Sequence, residues 1–145
     1  MNPHIEYMRL SELVRWPRNP KEHAHDVIEK SISRFGFVNP VIIDETSKRL
    51  VAGHGRVDTL LQMKNTGKAP PEGVHVHGGD WEVPVVRGQS FKDEKEAEAY
   101  LLADNQTSIL GGWDEKLLQS ILREHVPNLD GLGFKPADID ALAMP

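Results

Sequence analysis

The sequence predicts an α+β fold in which a small mixed β-sheet comes first and helices dominate the second half. Two observations support this order. The β-rich runs before residue 89 are short and separated by Gly- and Pro-containing turns, whereas beyond it apolar residues recur every three to four positions. A chain of 145 residues is long enough for one domain with its own core. We therefore expect a single domain with a sheet-rich part (1–88) and a helical part (89–145).

Five stretches indicate the sheet. Ile5 to Leu10 predicts a strand, followed by a helical turn that begins at Ser11. The runs "VIID" and "RLVA", joined by the polar "DETSK", predict a hairpin. The loop "GKAPPEGVHVHGGD" has room for a short strand, and "WEVPVV" predicts another. Because the proline in that last run cannot donate a backbone hydrogen bond, we expect an edge or bulged strand there.

The helices follow from apolar spacing and from residues that suit helix ends. One helix is expected in "EHAHDVIEKSISRFG", ending at Gly36, and a second after residue 53, ending near 65–67. The longest helix is expected from Ser90 as N-cap, then another in "GGWDEKLLQSILREH", and a short one in the last residues. The apolar faces expected of the first, second and fourth helices are Ile28, Ile32 and Phe35; Val57, Leu60, Leu61 and Met63; and Leu117, Leu118, Ile121 and Leu122. In the longest helix, Ala97, Tyr100, Leu101 and Asp104 share one face.

Composition limits the classes of function. Apolar residues make up 39% and charged residues 27%, as in globular proteins, and no stretch has the length and apolarity of a membrane span. The absence of cysteine excludes disulfides and thiolate chemistry and fits a cytoplasmic location. A net charge of -5 argues against strong non-specific binding of nucleic acid by this chain alone.

The stretch Gly53-His54-Gly55-Arg56 lies where a strand is expected to turn into a helix. The start of a helix presents free N–H groups and a partial positive charge, so it attracts phosphates. Glycine permits close approach of a ligand, Arg56 offers a planar fork of donors, and His54 can donate or transfer a proton. The stretch thus predicts a phosphate site, or alternatively a tight turn that needs glycine and carries a surface histidine and arginine.

Other stretches place this turn in a larger pattern. In chain order they are "RWPRNPKEH", "GFVNPVIID", "LVAGHGRVDTLLQM", "VPVV" and "LLADNQTSILGGWD". Together they resemble the ParB-like N-terminal domain of the ParB/sulfiredoxin superfamily over Ile5 to Leu142. The resemblance is to versions from phages and mobile elements, which occur alone or ahead of a DNA methyltransferase domain. It implies a ParB/sulfiredoxin-like small mixed sheet flanked by helices, with a nucleotide in the cleft.

The resemblance extends to single residues of the turn. Gly53 and Arg56 match the first and last members of the family's phosphate-binding box, which is Gly-Glu-Arg-Arg in partition proteins and Gly-Cys-His-Arg in sulfiredoxin. His54 replaces the glutamate or cysteine, and Gly55 replaces the third member. Lack of the cysteine excludes sulfinic-acid reduction, and lack of the glutamate and second arginine argues against a CTP-driven sliding clamp.

Asp104 and Asn105 match the acidic residue and asparagine that lie by the phosphates and Mg²⁺ in the family. Their oxygens are also the ligands that Mg²⁺ prefers. We expect them to face inward and to bind Mg²⁺ with ATP or CTP. The alternative is a helical pair that makes local hydrogen bonds.

The loop "RNPKEH" supplies further candidates. The resemblance implies an acidic residue here that faces the terminal phosphate, and Glu22 is the candidate. Glu22 and His54 are thus the two candidate catalytic residues. Alternatively, Glu22 stabilises the start of the next helix. Arg18 and Asn19 are candidate phosphate ligands, although Arg18 could equally lie in solvent.

Two further patterns have simpler alternatives. In a strand, His75 and His77 would face the same side and could bind Zn²⁺ with Asp80, or they are exposed loop histidines. The three tryptophans could stack on bases, but we expect them to pack in the core; they are Trp16, Trp81 and Trp113.

Three functions are compatible with these features. The first is an NTP- and Mg²⁺-binding domain associated with DNA transactions, with slow NTPase or phosphotransferase activity. The second is a non-catalytic module that positions a DNA methyltransferase, so that DNA is contacted through a partner or linked domain. The third is a nuclease, which the lack of clustered carboxylates disfavours.

Overall fold

A mixed β-sheet with helices on both sides makes up the computed structural model, which describes residues 2–142. The predicted α+β order is confirmed, because no strand lies beyond residue 88 in this part of the chain. The strands are β1 (His4–Arg9), β2 (Val41–Asp44), β3 (Arg49–Ala52), β4 (His75–His77) and β5 (Asp80–Arg87). The helices are α1 (His25–Phe35), α2 (His54–Asn65), α3 (Glu94–Gly111), α4 (Glu115–His125) and α5 (Pro136–Ala141), with a 3₁₀ turn at Leu10–Glu12.

Strand β5 lies at the centre of the sheet, whose order is β1-β5-β2-β3, with β4 paired to the start of β5. It is antiparallel to β1 and β4 and parallel to β2. The prediction of an edge or bulged strand was therefore wrong. Pro84 lies opposite Tyr7 of β1, and on its other side it falls between Glu82, where pairing with β4 ends, and Val85, where pairing with β2 begins. The missing N–H thus falls in a gap between two ladders.

The sheet buries its two faces against different helices. Successive strand residues point to opposite faces, so Val41 and Leu50 pack toward α1 and α2, whereas Ile42 and Val51 pack toward α3. The predicted apolar face of α2 is confirmed. The larger core comprises Leu10, Ile32, Phe37, Val41, Ile43, Leu50, Val57, Leu60, Met63, Val74, Trp81, Val83 and Val85. The second core comprises Trp16, Val51, Ala97 and Leu101.

A third, smaller core joins α4 and α5 through Leu118, Leu122, Leu129 and Ile139. The prediction that Leu117 and Ile121 face inward was wrong, since their exposed fractions are 58% and 42%. One neighbouring helix can cover only a narrow stripe of α4, and the i, i+4 pair 118 and 122 fills it.

Three smaller predictions were also wrong. Phe35, the last residue of α1, is half-exposed under the Arg34 guanidinium, and Phe37 fills the core instead. The N-cap of α3 is Asp93 rather than Ser90, and its carboxylate accepts a hydrogen bond from the Glu96 N–H at 2.8 Å. Trp113 is 68% exposed and packs edge-on against Phe134. Trp16 and Trp81 are buried, as expected. Among residues 2–142 the helices are too short or too polar to cross a bilayer.

Candidate functional site

The turn between β3 and α2 needs its glycines for packing. Gly53 is the N-cap of α2 with φ of +102°, and a Cβ there would lie 2.2 Å from Val41 Cγ1. A Cβ on Gly55 would lie 2.7 Å from His23 Nδ1. Both positions therefore exclude larger residues, whatever binds near them. The need for glycine agrees with the alternative of a tight turn. That alternative also placed a histidine on the surface, whereas His54 is buried.

His54 is only 3% exposed, and its Nε2 accepts a hydrogen bond from the backbone N–H of Trp16 at 3.1 Å. Since an N–H can only donate, Nε2 is unprotonated and Nδ1 carries the proton of the neutral ring. Burial, aided by the charges of Arg15 and His23, lowers the pKa of His54 to about 4. In this state His54 can donate a hydrogen bond but cannot accept a proton at Nε2 without releasing Trp16. As a catalytic candidate it is restricted to the role of donor.

Arg56 has a donor that the protein leaves unused. Its Nη2 donates to the Pro40 carbonyl at 3.0 Å, whereas its Nε is buried without a partner among the described residues. Burial lowers the pKa of Arg56, and the Asp104 carboxylate opposes that effect. A buried, partly paired cation is costly unless an anion compensates it.

These groups border a cleft of about 530 Å³. Loop 19–23, α1, both hairpin strands, the start of α2, the middle of α3 and the segment after α4 contribute to its walls. Seven of the predicted phosphate or metal ligands line it, namely Asn19, Gly53, His54, Gly55, Arg56, Asp104 and Asn105. Residues more than 50 positions apart in the chain are thus brought to one site.

Asp104 and Asn105 of α3 both line the cleft but differ in burial and in bonding. Asp104 is exposed rather than inward-facing, and its carboxylate lies close enough to raise the pKa of Arg56 against the effect of burial. Asn105 is half-buried, and its amide nitrogen donates to the Leu101 carbonyl at 2.8 Å. That local bond was the simpler alternative for Asn105. It occupies the nitrogen, so the amide oxygen remains the group that could bind a metal.

Two predicted residues do not line the cleft. The Arg18 guanidinium forms an ion pair with Glu98 of α3, and this pairing raises the pKa of Arg18. It lies over a separate surface hollow with Pro17 and Leu102. Glu22 is exposed, and its backbone carbonyl accepts a hydrogen bond from Lys21. Arg18 is held on the outer side of the loop because α3 offers a carboxylate there.

His23, in the loop "RNPKEH", lines the cleft, although the sequence analysis assigned it no role there. Its ring packs against Gly55 and meets His25 edge-on, with ring centres 6.0 Å apart. Its Nε2 is buried without a partner in the part of the chain that the structure describes, and burial lowers its pKa. No local pattern marks this contact, because it depends on the missing side chain of Gly55.

The two histidines of β4 are exposed and separate from this cleft. His75 stacks on the Tyr7 ring at 3.8 Å. Asp80, the third ligand of the zinc alternative, instead accepts a hydrogen bond from Ser11 at 2.6 Å and pairs with Lys64. Within residues 2–142, His, Asp and Glu side chains do not assemble in threes as a metal site.

The fold and cleft define a small α+β domain, and comparison with known proteins identifies its family. The chain is 41% identical over 63 residues to the ParB-like nuclease domain-containing protein YnaK of Escherichia coli (strain K12), covering 41% of this chain and 71% of that protein. The chain belongs to the family of ParB-like nuclease domain proteins. A solved Pnob8-like ParB-N domain is 18% identical with a TM-score of 0.40; the match covers 68% of this chain and 34% of that one. No protein-family model matches the chain.

Proposed function

We propose that the cleft binds the phosphates of a nucleotide, ATP or CTP, together with Mg²⁺. The observation that carries the proposal is the buried Nε of Arg56 at the start of α2, which has no partner within residues 2–142. A phosphate oxygen placed there would accept from this donor and offset the charge that burial disfavours. The His23 Nε2, also buried and without a partner in the described part of the chain, is a second group that a ligand in this cleft could satisfy.

The start of α2 supports the same ligand. Gly53 has no side chain to cap the helix, and the first helical bond is the one from the Val57 N–H to the Gly53 carbonyl at 3.0 Å. The N–H groups of the first turn are therefore left for a ligand, and the partial positive charge of the helix end favours an anion. Lys21 adds a positive charge to the lining.

The residues at the other side of the cleft fit Mg²⁺. Asp104 offers an exposed carboxylate and Asn105 an amide oxygen. Mg²⁺ in nucleotide sites is commonly held by one or two protein oxygens, with phosphates and water completing its shell. When bound, the ion would neutralise phosphate charge near Asp104 and Arg56.

The cleft favours binding over rapid chemistry. Among the residues that line it, Asp104 is the single carboxylate, and Glu22 lies outside. His54 is neutral and its Nε2 is occupied, so it suits donation to a phosphate oxygen rather than activation of water. We propose that any NTPase or phosphotransferase activity is slow. We also propose that DNA is contacted through a partner or linked domain, such as a DNA methyltransferase.

Titration calorimetry with ATP, CTP, GTP and ADP, each with and without Mg²⁺, tests the proposal. We expect at least one triphosphate to bind with a dissociation constant in the micromolar range, and more weakly when Mg²⁺ is chelated. Absence of binding by all four up to millimolar concentration would refute it. Plasmid nicking with Mg²⁺ or Mn²⁺ tests the nuclease alternative that the relative's name suggests. Efficient nicking that Asp104→Asn leaves unchanged would indicate a site other than this cleft.

A further inference from the structure

The segment that joins α4 to α5, residues 126–135, forms one wall of the cleft through Gly131 and Leu132. We infer that this wall recognises the nucleoside of the bound nucleotide and that Arg34 positions it. The inference rests on the proposed function and extends it from the phosphates to the base and sugar.

The cleft has a polar end and an apolar end, and α1 runs between them. At the polar end, Ile28 Cδ1 lies 3.1 Å from the position of a Cβ on Gly55. Two and three residues further along α1, the Lys30 carbonyl and the Ser31 Cα lie 2.8 Å and 3.1 Å from the position of a Cβ on Gly131. A ligand anchored at the start of α2 would therefore extend along α1 toward the joining segment. The side chains along this path are Val27, Ile28, Ser31, Ile32 and Leu132.

The chemistry of this end suits a nucleoside. Its lining is mostly aliphatic, and Val27 is 42% exposed in the structure. An uncharged planar base that covers such side chains removes apolar surface from water, whereas phosphate does not. Ser31 and Asn39 supply polar groups at the same cleft for a sugar or a base edge.

Arg34 holds the joining segment in place. Its Nη1 donates to the carbonyl of Asp130 at 2.7 Å and to that of Asn128 at 3.3 Å. Gly131, with φ of +77°, then lets the backbone lie directly against α1. On the far side, Leu129 is buried in the third core. The wall is thus formed before any ligand arrives, which reduces the entropy cost of binding.

The two helices on either side of the wall are also fixed to each other. The Gln119 side chain donates to the backbone carbonyl of Ile139 at 2.6 Å and so fixes α5 against α4. Leu132 packs at the margin of the same core. Its side chain is therefore shared between this core and the cleft, which makes it the residue to change.

The test compares two ligands that share phosphates and differ in the nucleoside. One ligand is inorganic tripolyphosphate, and the other is ATP or CTP, whichever binds more tightly. Each is titrated with Mg²⁺ into wild type, Leu132→Ala and the control Leu117→Ala. Leu117 is a leucine of α4 that is 58% exposed and lies outside the cleft. We expect Leu132→Ala to weaken the nucleotide on the order of tenfold and tripolyphosphate not at all. Leu117→Ala should change neither.

Arg34 is tested by two replacements. Arg34→Met keeps the aliphatic stem but removes the donor, so it should lower the preference for nucleotide over tripolyphosphate on the order of tenfold. Because both carbonyls receive bonds from one nitrogen, the amine of Arg34→Lys should restore most of that preference.

The outcomes separate the two proposals. If wild type binds both ligands and Leu132→Ala weakens neither, or weakens both equally, the nucleoside wall is refuted while phosphate binding stands. If wild type binds neither ligand, the proposed function fails and this inference fails with it.

Discussion

The imidazole of His54 and the backbone N–H of Trp16 are joined by a buried hydrogen bond of 3.1 Å. The Trp16 indole N–H in turn donates to Glu98 of α3 at 2.8 Å. One side chain in the first turn of α2 therefore holds the loop before α1, and that loop reaches α3. The histidine between the two glycines thus has a structural role in addition to its place in the cleft lining.

We expect acid to destabilise the protein through His54. Its pKa is about 4 in the folded state against an ordinary value of 6.5. Between these values the unfolded chain binds more protons, so stability rises with pH in this window and is fully present above about 6.5. The loss on acidification from pH 7 to 4 should approach roughly 3 kcal/mol. Denaturant unfolding at several pH values measures it.

His54→Gln is the control for that experiment. The glutamine carbonyl can accept the Trp16 N–H but does not titrate. The pH dependence between 4 and 6.5 should be shallower in this variant. His23 contributes to what remains because burial lowers its pKa too, and Glu45 adds to it near pH 4 because the hydrogen bond from Arg87 lowers the pKa of that carboxyl to about 2. An unchanged slope would show that His54 is not the titrating group.

Arg56→Met should separate binding from folding. The change removes the unpartnered Nε together with the bond to Pro40, so the free energy of unfolding should change by less than about 1 kcal/mol. The binding free energy of ATP or CTP should fall by about 1.5–3 kcal/mol. Arg123→Met, at an exposed arginine of α4, is the matched control and should bind normally. Equal affinity of the two variants would remove Arg56 from the site.

Gly53→Ala should destabilise the fold by about 2–4 kcal/mol, because the new methyl group adds a clash with buried Val41 to the cost of a positive φ. Gly67→Ala separates the two effects. Gly67 also has a positive φ, +77°, but a Cβ there would meet nothing within 4 Å. It should cost only about 1 kcal/mol. Urea titrations of both variants measure the difference, and equal losses would show that the contact with Val41 is readily relieved.

Asn105→Ala tests the choice between a structural and a ligand-binding asparagine. Its amide nitrogen bonds only to a carbonyl of its own helix, so we expect the melting temperature of the free protein to change little. The additional stabilisation that Mg²⁺ gives to the nucleotide complex should disappear. Gln106→Ala, at the exposed neighbouring position, is the control. A destabilised free protein with normal nucleotide affinity would make Asn105 structural.

Local pattern predicted most of the fold. The recurrence of apolar residues every three to four positions in α1 and α2, the hairpin around "DETSK" and the long helix α3 can all be read from residues a few positions apart. The predictions were wrong where an element distant in the sequence determines the position or the burial of a residue. Pro84 sits in a central strand because two partner strands happen to leave a gap, and Leu117 is exposed because α5 covers only one stripe of α4.

The candidate site divides in the same way. The glycines and Arg56 lie in one turn, so a single stretch of sequence marks them. His23 and Leu132 come to the cleft only through tertiary packing, against Gly55 and α1 respectively. The Arg18 guanidinium could bind phosphate, but it forms an ion pair with Glu98. The two residues are 80 positions apart, and no pattern in the sequence indicates that they are in contact.

The central position of β5 has a consequence for how the chain reaches its native state. His4, the first residue of β1, pairs with Arg87, the last residue of β5. The β1–β5 ladder therefore cannot be completed until residue 87 has been synthesised. The β2–β3 hairpin and the α1–α2 pair can form early from nearby contacts, whereas pairing of the first strand requires closure of a long loop. A nascent chain that ends before Asp80 would therefore expose both an unpaired β2 edge and the apolar side chains that β5 covers, so this stage of synthesis is prone to aggregation.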